Sequence, residues 1–250
     1  MNIFISVSPN ENLGANAISK VAPIEDVNIL CSFEYLSAMG AFKPRDCKNF
    51  IADSGAFTAM NAGKKIDNDY IDRYIQWIVE QDIEHFIEMD LDEVIGYDKT
   101  LQIRHYIEQQ TGKCVIPCWH LERGADGWRR MCDEYDYVAI SLSRMTKTSK
   151  WLVYHNFEPL KFFLAEARKR NARVHALGCN DLALLKQYHF YSADSSTHTT
   201  GSRYGRVMVF RDGKIQNINK QRQKRINYDK ADKQNIQTMI EVMRYAETHL

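Results

Sequence analysis

Two segments of this 250-residue chain place an aspartate directly after an apolar run and before small, turn-forming residues. Asp53 follows residues 49–52, and Asp194 follows residues 190–193. If both runs are parallel strands of one barrel, the aspartates lie at the edge where catalytic groups gather. Two carboxylates there, one acting as general acid/base and one as nucleophile, can break and remake a bond at the anomeric carbon of a sugar. The alternative for each is an aspartate that begins a turn or caps a helix.

Other polar groups follow further apolar runs. Asp90, Asp92 and Glu93 end one run, and neighbouring carboxylates are costly unless they are solvated, paired or used to hold a polar ligand. His120 ends another run, where it can contact a ligand or serve as a hydrogen-bonded structural histidine. Gly178 gives close backbone approach at a further strand end, although a turn glycine is the commoner explanation.

Basic residues follow Asp194. Arg203 and Arg206 are candidates for holding a phosphate, and solvated surface arginines are the alternative. The stretch 220–225, which includes Arg222 and Arg225, is a candidate nucleic-acid patch or a solvated charged face.

The hydrophobic pattern predicts strands that alternate with amphipathic helices. The predicted strands are residues 2–6, 27–33, 49–53, 85–90, 114–119, 137–142, 173–178 and 190–194. The predicted helices are residues 69–80, with Asp69 near the N-cap, 99–110, 157–170 and 182–187, and the segment 9–20 is expected to be irregular. This order predicts an α/β fold, a (β/α)8 TIM barrel over residues 1–206. Residues 207–250 are predicted to form a hairpin around Asp212-Gly213, a basic stretch and a helix from about 233 to 247, packed on the barrel. A doubly wound open sheet is the competing architecture.

Bulk properties narrow the class of protein. The net charge of +1 gives no global field toward nucleic acid, so such contacts must be local. The longest uncharged run, residues 27–33, is far too short to span a bilayer, and the amino-terminal residues do not read as a signal peptide. We therefore expect no membrane contact and a cytoplasmic location. The six cysteines contain no Cys-x-x-Cys pair, which favours reduced core thiols and argues against a structural zinc site.

Together these motifs resemble the tRNA-guanine transglycosylase superfamily, most closely its compact, often phage-encoded members that insert 7-deazaguanines into DNA. The first motif reads Asp53-Ser54-Gly55-Ala56-Phe57, the second reads Leu91-Asp92-Glu93, and the late aspartate corresponds to Asp194. The residues 175–178 and the Ser/Thr-rich, Arg-Gly segment 195–206 also resemble the family, and the likeness covers about residues 27–206.

The resemblance implies a mechanism. Asp194 would attack C1′ of a target guanosine to give a covalent intermediate, and Asp53 would act as general acid/base. The resemblance implies that Asp92 reads the pyrimidine-like edge of the incoming base. The substrate-binding candidates as a whole are Ser54, Gly55, Asp92, His120, Ser141 and Gly178. The target base must leave the stack, so a phosphate-gripping rim is expected, with Arg203, Arg206, Arg222 and Arg225 as its candidates. The implied partners are DNA and a free 7-deazaguanine base in a bacterial or phage-infected cell, without a cofactor or metal; a homodimer is left open.

Three departures keep alternatives open. Ala56 replaces a family glycine, and residues 141–143 (Ser-Leu-Ser) stand where a Gly-Gly pair would approach the base. No cysteine follows Cys179, whereas the tRNA enzymes carry a cysteine-rich zinc subdomain there, and this favours DNA over tRNA. A tRNA-guanine transglycosylase and a catalytically inactive nucleic-acid-binding barrel remain alternatives. A glycoside hydrolase is disfavoured, because only Phe57 and Trp119 stand near the carboxylates to stack on a sugar.

Overall fold

The computed structural model describes residues 1–10, 12–142, 146–179, 181–196, 198–199, 206–219 and 228–250. The strands are β1 (Asn2–Ser6), β2 (Asn28–Ser32), β3 (Asn49–Asp53), β4 (Cys118–Trp119), β5 (Tyr137–Ser141), β6 (Arg173–Leu177), β7 (Ser192–Ser195), β8 (Arg206–Arg211) and β9 (Lys214–Asn219). The helices are α1 (Ala15–Ile18), α2 (Ala56–Asn61), α3 (Asn68–Glu80), α4 (Asp92–Ile95), α5 (Tyr97–Thr111), α6 (Gly124–Glu134), α7 (Lys147–Tyr154), α8 (Pro159–Lys169), α9 (Leu182–Tyr188) and α10 (Tyr228–His249).

The protein has an α/β fold built on a seven-stranded sheet. The strand order is β3-β2-β1-β7-β6-β5-β4, and β8 and β9 form a separate antiparallel hairpin. Within the described ranges, no helix combines the length and the apolar character needed to cross a bilayer. The chain divides into two compact units. The first contains Met1–Cys31, Tyr35–Phe50 and Gly178–Leu250, and the second contains Ser32–Glu34 and Ile51–Leu177.

In the first unit, β1 pairs in parallel with β2 and with β7, and Phe4 lies opposite Asp194. Helix α10 is held to the hairpin by buried polar side chains. The amide N–H of Met208 donates to the side-chain oxygen of Asn235 at 2.7 Å, and the Thr238 hydroxyl donates to the carbonyl of Met208 at 2.8 Å. Because both helix side chains satisfy backbone groups of β8, they fix the position of α10 along the hairpin.

In the second unit, β5 lies between β4 and β6, and both pairings are parallel. Helices α6 and α8 pack through aromatic side chains. The indole N–H of Trp128 donates to the carbonyl of Phe163 at 2.8 Å, and the rings of Trp119 and Phe163 lie 4.3 Å apart. Trp119 is fully buried in this cluster, so its indole is not exposed to stack on a ligand.

The predicted strand 85–90 does not form as a strand. It makes isolated parallel bridges, from Phe86 to Ala52 and from Ile87 to Ile116. In a parallel pair the next hydrogen bond would run from the Cys118 N–H to the Glu88 carbonyl. The Glu88 carboxylate accepts that N–H instead, at 2.6 Å. The buried side chain of Glu88 thus ends the backbone hydrogen bonding between these two segments directly after the bridge from Ile87 to Ile116.

The predicted strand 114–119 is also shorter than expected. Only Cys118–Trp119 forms a strand, and the residue before it, Pro117, has no N–H to donate to a ladder. Its carbonyl still accepts a hydrogen bond from Ala139 N at 2.8 Å. All six cysteines are free thiols. Cys114 is exposed and Cys47 is partly exposed, so the expectation that the cysteines are core residues is wrong for these two.

Helix ends differ from the predictions where local capping decides them. Asp67, not Asp69, caps α3 by accepting the N–H of Tyr70 at 3.1 Å. Helix α8 begins at Pro159 because Phe157, with φ of 59°, is not helical. Helix α10 begins at Tyr228, earlier than the predicted residue 233. Helix α1 is a single turn, which agrees with the prediction that the segment 9–20 is irregular.

Candidate functional site

Asp194 lies in the first unit, near the end of β7, with a buried side chain. The backbone N–H of Gly178 donates to its Oδ1 at 2.7 Å, and the hydroxyl of Ser6 donates to its Oδ2 at 3.1 Å. Phe4 is opposite Asp194, and alternation along β1 turns Ser6 to the same face as Phe4. The carboxylate is therefore held at both oxygens, by the Ser6 hydroxyl of β1 and by the backbone N–H of Gly178.

Gly178 contacts Asp194 through its backbone. It follows the end of β6 with φ of 68°, a conformation that other residues adopt at a cost. Its N–H points to Asp194, so Gly178 positions the carboxylate. The next residue, Cys179, is buried, and burial, together with the charges of Asp181 and Asp194, raises the pKa of its thiol to about 12. Cys179 therefore stays a neutral thiol near pH 7, which leaves Asp194 as the nucleophile candidate here.

The first motif lies in the second unit. Asp53 ends β3 and is partly exposed, whereas Ser54 is buried. The carbonyl of Ser54 accepts a hydrogen bond from the Tyr70 hydroxyl at 2.8 Å. Burial, followed by the charges of Glu34 and Asp53, raises the pKa of Tyr70 far above its usual value, so the hydroxyl remains a donor. Tyr70 thus anchors the backbone turn that carries Asp53.

Gly55 is required by space as well as by conformation. Its φ is 71°, and an added Cβ would lie 2.8 Å from the Ser32 hydroxyl oxygen and 3.0 Å from the Glu34 nitrogen. Only glycine fits this turn without displacing backbone. Phe57 follows on α2 and is half exposed, so the motif presents one carboxylate and one accessible aromatic ring.

Asp92 belongs to a buried network of charged groups. Arg123 donates from Nε to Asp92 Oδ2 at 2.7 Å and from Nη2 to Oδ1 at 2.8 Å. Burial alone would raise the pKa of Asp92, but the hydrogen bonds and charge of Arg123 outweigh it and hold that pKa below its usual value. Glu88 accepts from Arg104 Nε at 2.7 Å and from Arg123 Nη2 at 3.3 Å. Each buried carboxylate in this network therefore faces at least one guanidinium.

His120 follows β4 and is buried, and its Nε2 lies 2.6 Å from Asp90 Oδ1. Burial lowers the pKa of His120, but the hydrogen bond and charge of Asp90 outweigh this effect and raise it overall. His120 thus lies against a carboxylate of its own chain.

Ser141 ends β5 and is buried. Its hydroxyl donates to the Thr146 hydroxyl oxygen at 3.3 Å, and Thr146 caps α7 by accepting the Ser149 N–H at 3.1 Å. Ser143, the other hydroxyl at the expected glycine pair, lies outside the described residues. Ser141 is therefore tied to the start of the next helix.

The predicted phosphate-binding residues are mostly outside the described part of the chain. This holds for Arg203, Arg222 and Arg225. Arg206 is described: it begins β8 with an exposed side chain. In the described ranges, no group of three or more His, Cys, Asp or Glu side chains is arranged to hold a metal ion.

The structure thus places Asp194 with Gly178 in one unit, and Asp92 and His120 in one charged network in the other. The sequence did not reveal Ser6, Glu88, Arg104 or Arg123 as partners of these residues. Arg123 is 31 positions from Asp92 and Ser6 is 188 positions from Asp194, so no local motif joins either pair. A serine at the carboxyl end of the first strand was the one available signal for Ser6.

Neither a scan against protein-family models nor a search of curated proteins finds a match for this chain.

Proposed function

We propose that this protein is a base-exchanging transglycosylase that replaces guanine in DNA with a 7-deazaguanine derivative. The proposal assigns it a (β/α)8 barrel of the tRNA-guanine transglycosylase type. The parallel bridges from Phe86 to Ala52 and from Ile87 to Ile116 support this assignment. The supporting resemblance consists of the ordered motifs at Asp53, Asp92 and Asp194.

The observation that carries the proposal is the way Asp194 is held. A nucleophilic carboxylate must present an oxygen to C1′ in a defined direction, and such positioning accounts for a large part of catalysis. The Gly178 N–H and the Ser6 hydroxyl fix both oxygens of Asp194.

The chemistry is a double displacement. An oxygen of Asp194 bonds to C1′ as the glycosidic bond breaks, and the electron pair leaves with guanine, which takes a proton from Asp53. The incoming base then loses its N9 proton to Asp53 and attacks C1′, and this displaces Asp194. Two inversions retain the configuration of the sugar.

DNA is favoured over tRNA by the segment on the carboxyl side of Asp194. The hairpin β8–β9 and helix α10 lie in the segment 195–250 that follows the nucleophile, and this segment contains no cysteine. A cysteine-rich zinc subdomain would need several ligands there. The hairpin begins with the exposed Arg206, which is suited to a phosphate contact.

The test is incorporation of labelled guanine into double-stranded DNA and, in parallel, into unmodified tRNA. If guanine is refused, labelled 7-deazaguanine bases are used. We expect label in DNA, and a protein–DNA adduct that survives denaturation when no incoming base is present. Asp194→Ala should abolish both while its thermal unfolding stays cooperative. Exchange that persists in folded Asp194→Ala would contradict the mechanism, label in tRNA alone would change the substrate, and silence with every base would reject the activity.

A further inference from the structure

Two carboxylates follow the segment that bridges β3, and they differ in what they already bind. Asp90 and Asp92 are separated by one residue, so either could reach a ligand at this place in the fold. The family resemblance selects Asp92. The contacts of the two side chains favour Asp90 instead.

Asp92 is closed by its own partner. Its side chain is 8% exposed, and both of its oxygens accept hydrogen bonds from the planar fork of Arg123. Arg123 is itself buried and also contacts Glu88. A ligand that took the oxygens of Asp92 would leave a buried guanidinium without its bidentate partner, which is strongly unfavourable.

Asp90 is open by comparison. Its side chain is 29% exposed, and Oδ1 contacts Nε2 of His120 at 2.6 Å. Among the described residues, Oδ2 of Asp90 has no hydrogen-bonding partner. The buried His120 therefore lies against one oxygen of Asp90, and the other oxygen faces away from this contact and is available to a ligand.

Asp90 also lies near the first motif. Ala52 and Phe86 are bridge partners in parallel segments, so the chain runs in the same direction from Ala52 to Asp53 and from Phe86 to Asp90. The buried thiol of Cys118 reports the same proximity: burial raises its pKa first, and the charges of Asp90, Glu88 and Asp53 raise it further. Asp53 and Asp90 are thus both within electrostatic reach of one sulfur atom.

We propose that Asp90, oriented by His120, is the carboxylate that reads the incoming base, and that Asp92 is a positioning residue that holds Arg123. This inference rests on the proposed base exchange. Guanine and its 7-deaza relatives present two donors side by side, the ring N1–H and the exocyclic amine. A carboxylate accepts both donors, whereas the amide of asparagine offers one accepting oxygen beside an NH₂ group that opposes them.

The test compares guanine with hypoxanthine, which lacks the exocyclic amine, as competing labelled bases in the exchange reaction. Wild-type protein is compared with Asp90→Asn, Asp92→Asn and, as a control, Asp98→Asn, which changes an exposed aspartate in the first turn of α5. Thermal unfolding of each variant is measured alongside. We expect Asp90→Asn to lose about 10- to 100-fold of the preference for guanine with little change in unfolding temperature. Asp92→Asn should unfold at lower temperature yet keep the wild-type preference.

His120→Gln provides an independent check, because it removes the ring that orients Asp90 and adds no charge. Its preference for guanine should fall in the same direction as that of Asp90→Asn. The assignment is overturned if Asp90→Asn keeps the wild-type preference, or if folded Asp92→Asn loses as much of it. Wild-type protein that exchanges no base would instead reject the proposed function and this inference with it, so the two failures are distinguishable.

Discussion

The backbone N–H of Gly178 donates a hydrogen bond to Oδ1 of Asp194 at 2.7 Å. Gly178 directly follows β6 and has a positive φ, and Asp194 lies in β7. A backbone donor has no rotamers to average over, so it fixes the carboxylate more rigidly than a side-chain donor could.

Gly178→Ala should therefore impair exchange by misplacing Asp194. The added Cβ makes a φ of 68° unfavourable, and the turn that carries the N–H must shift. We expect a loss of about tenfold or more in kcat with a smaller change in KM, because displacement of a reacting group by about 1 Å can cost about 100-fold. Steady-state exchange kinetics measure the effect.

Gly112→Ala is the matched control for this variant. Gly112 has a φ of 67° at the end of α5, and an added Cβ would meet nothing within 4 Å. It should lose a similar amount of stability and keep wild-type kcat. An equal loss of kcat in both glycine variants would show that general destabilisation, and not the bond to Asp194, explains the result.

Gly55→Ala should lower the unfolding free energy by more than the strain of a positive φ alone would. The new Cβ would meet Ser32 and Glu34 at 2.8 and 3.0 Å, whereas at Gly63, with φ of 76°, it would meet nothing. We expect Gly63→Ala to cost about 1 kcal/mol of unfolding free energy and Gly55→Ala about 1–3 kcal/mol more. Urea unfolding of both variants measures the difference, and equal costs would show that the turn at Gly55 relaxes freely.

Arg123→Met should be strongly destabilising. The change leaves the carboxylate of Asp92 buried without its guanidinium and removes one donor from Glu88. Breaking a buried ion pair from one side costs about 3–5 kcal/mol. Urea unfolding at neutral pH gives the free energy, provided that the m value is unchanged.

The control for Arg123→Met lies on helix α6. Arg129 also forms ion pairs, with Asp126 and Glu166, but its side chain is 38% exposed. Arg129→Met should cost less than about 1 kcal/mol, because exposed ion pairs contribute little. A small effect of Arg123→Met would mean that Asp92 takes up a proton or reaches water, and the view of Asp92 as a closed residue would fail.

His198 should make the fold sensitive to acid. It is fully buried, neither ring nitrogen has a partner among the described residues, and burial lowers its pKa to about 4. The unfolded histidine has a pKa of about 6.5, so between about pH 6.5 and 4 only the unfolded state binds the proton. Stability therefore falls as pH falls through this window, by about 3 kcal/mol in total.

His198→Leu should flatten the stability profile between pH 6.5 and 4. His105→Gln, which changes an exposed histidine of α5, should leave the slope as in wild type. The measurement is unfolding free energy at several pH values. An unchanged slope in His198→Leu would show that other groups cause the acid sensitivity.

Local patterns in the sequence predict most of the strands of this fold. Alternation and apolar runs place β1, β3, β5 and β6 within a residue of their observed ends, and the Asp212-Gly213 turn predicts the hairpin. They also identify Asp53 and Asp194 as residues at strand ends. These features depend on neighbours along the chain, which is why the pattern suffices.

The partners of those residues come from distant parts of the chain. The ladder after Ile87 ends because Glu88 takes the N–H of Cys118, and Asp92 is closed because Arg123 folds against it. The sequence could not show either contact, because a carboxylate after a strand gives the same sequence pattern whether it binds an arginine or a ligand. The sequence alone determined where the carboxylates stand along the chain. Tertiary packing decided that Asp92 is paired with Arg123 and that Asp90 stays partly exposed, because burial brings together groups that no spacing rule connects.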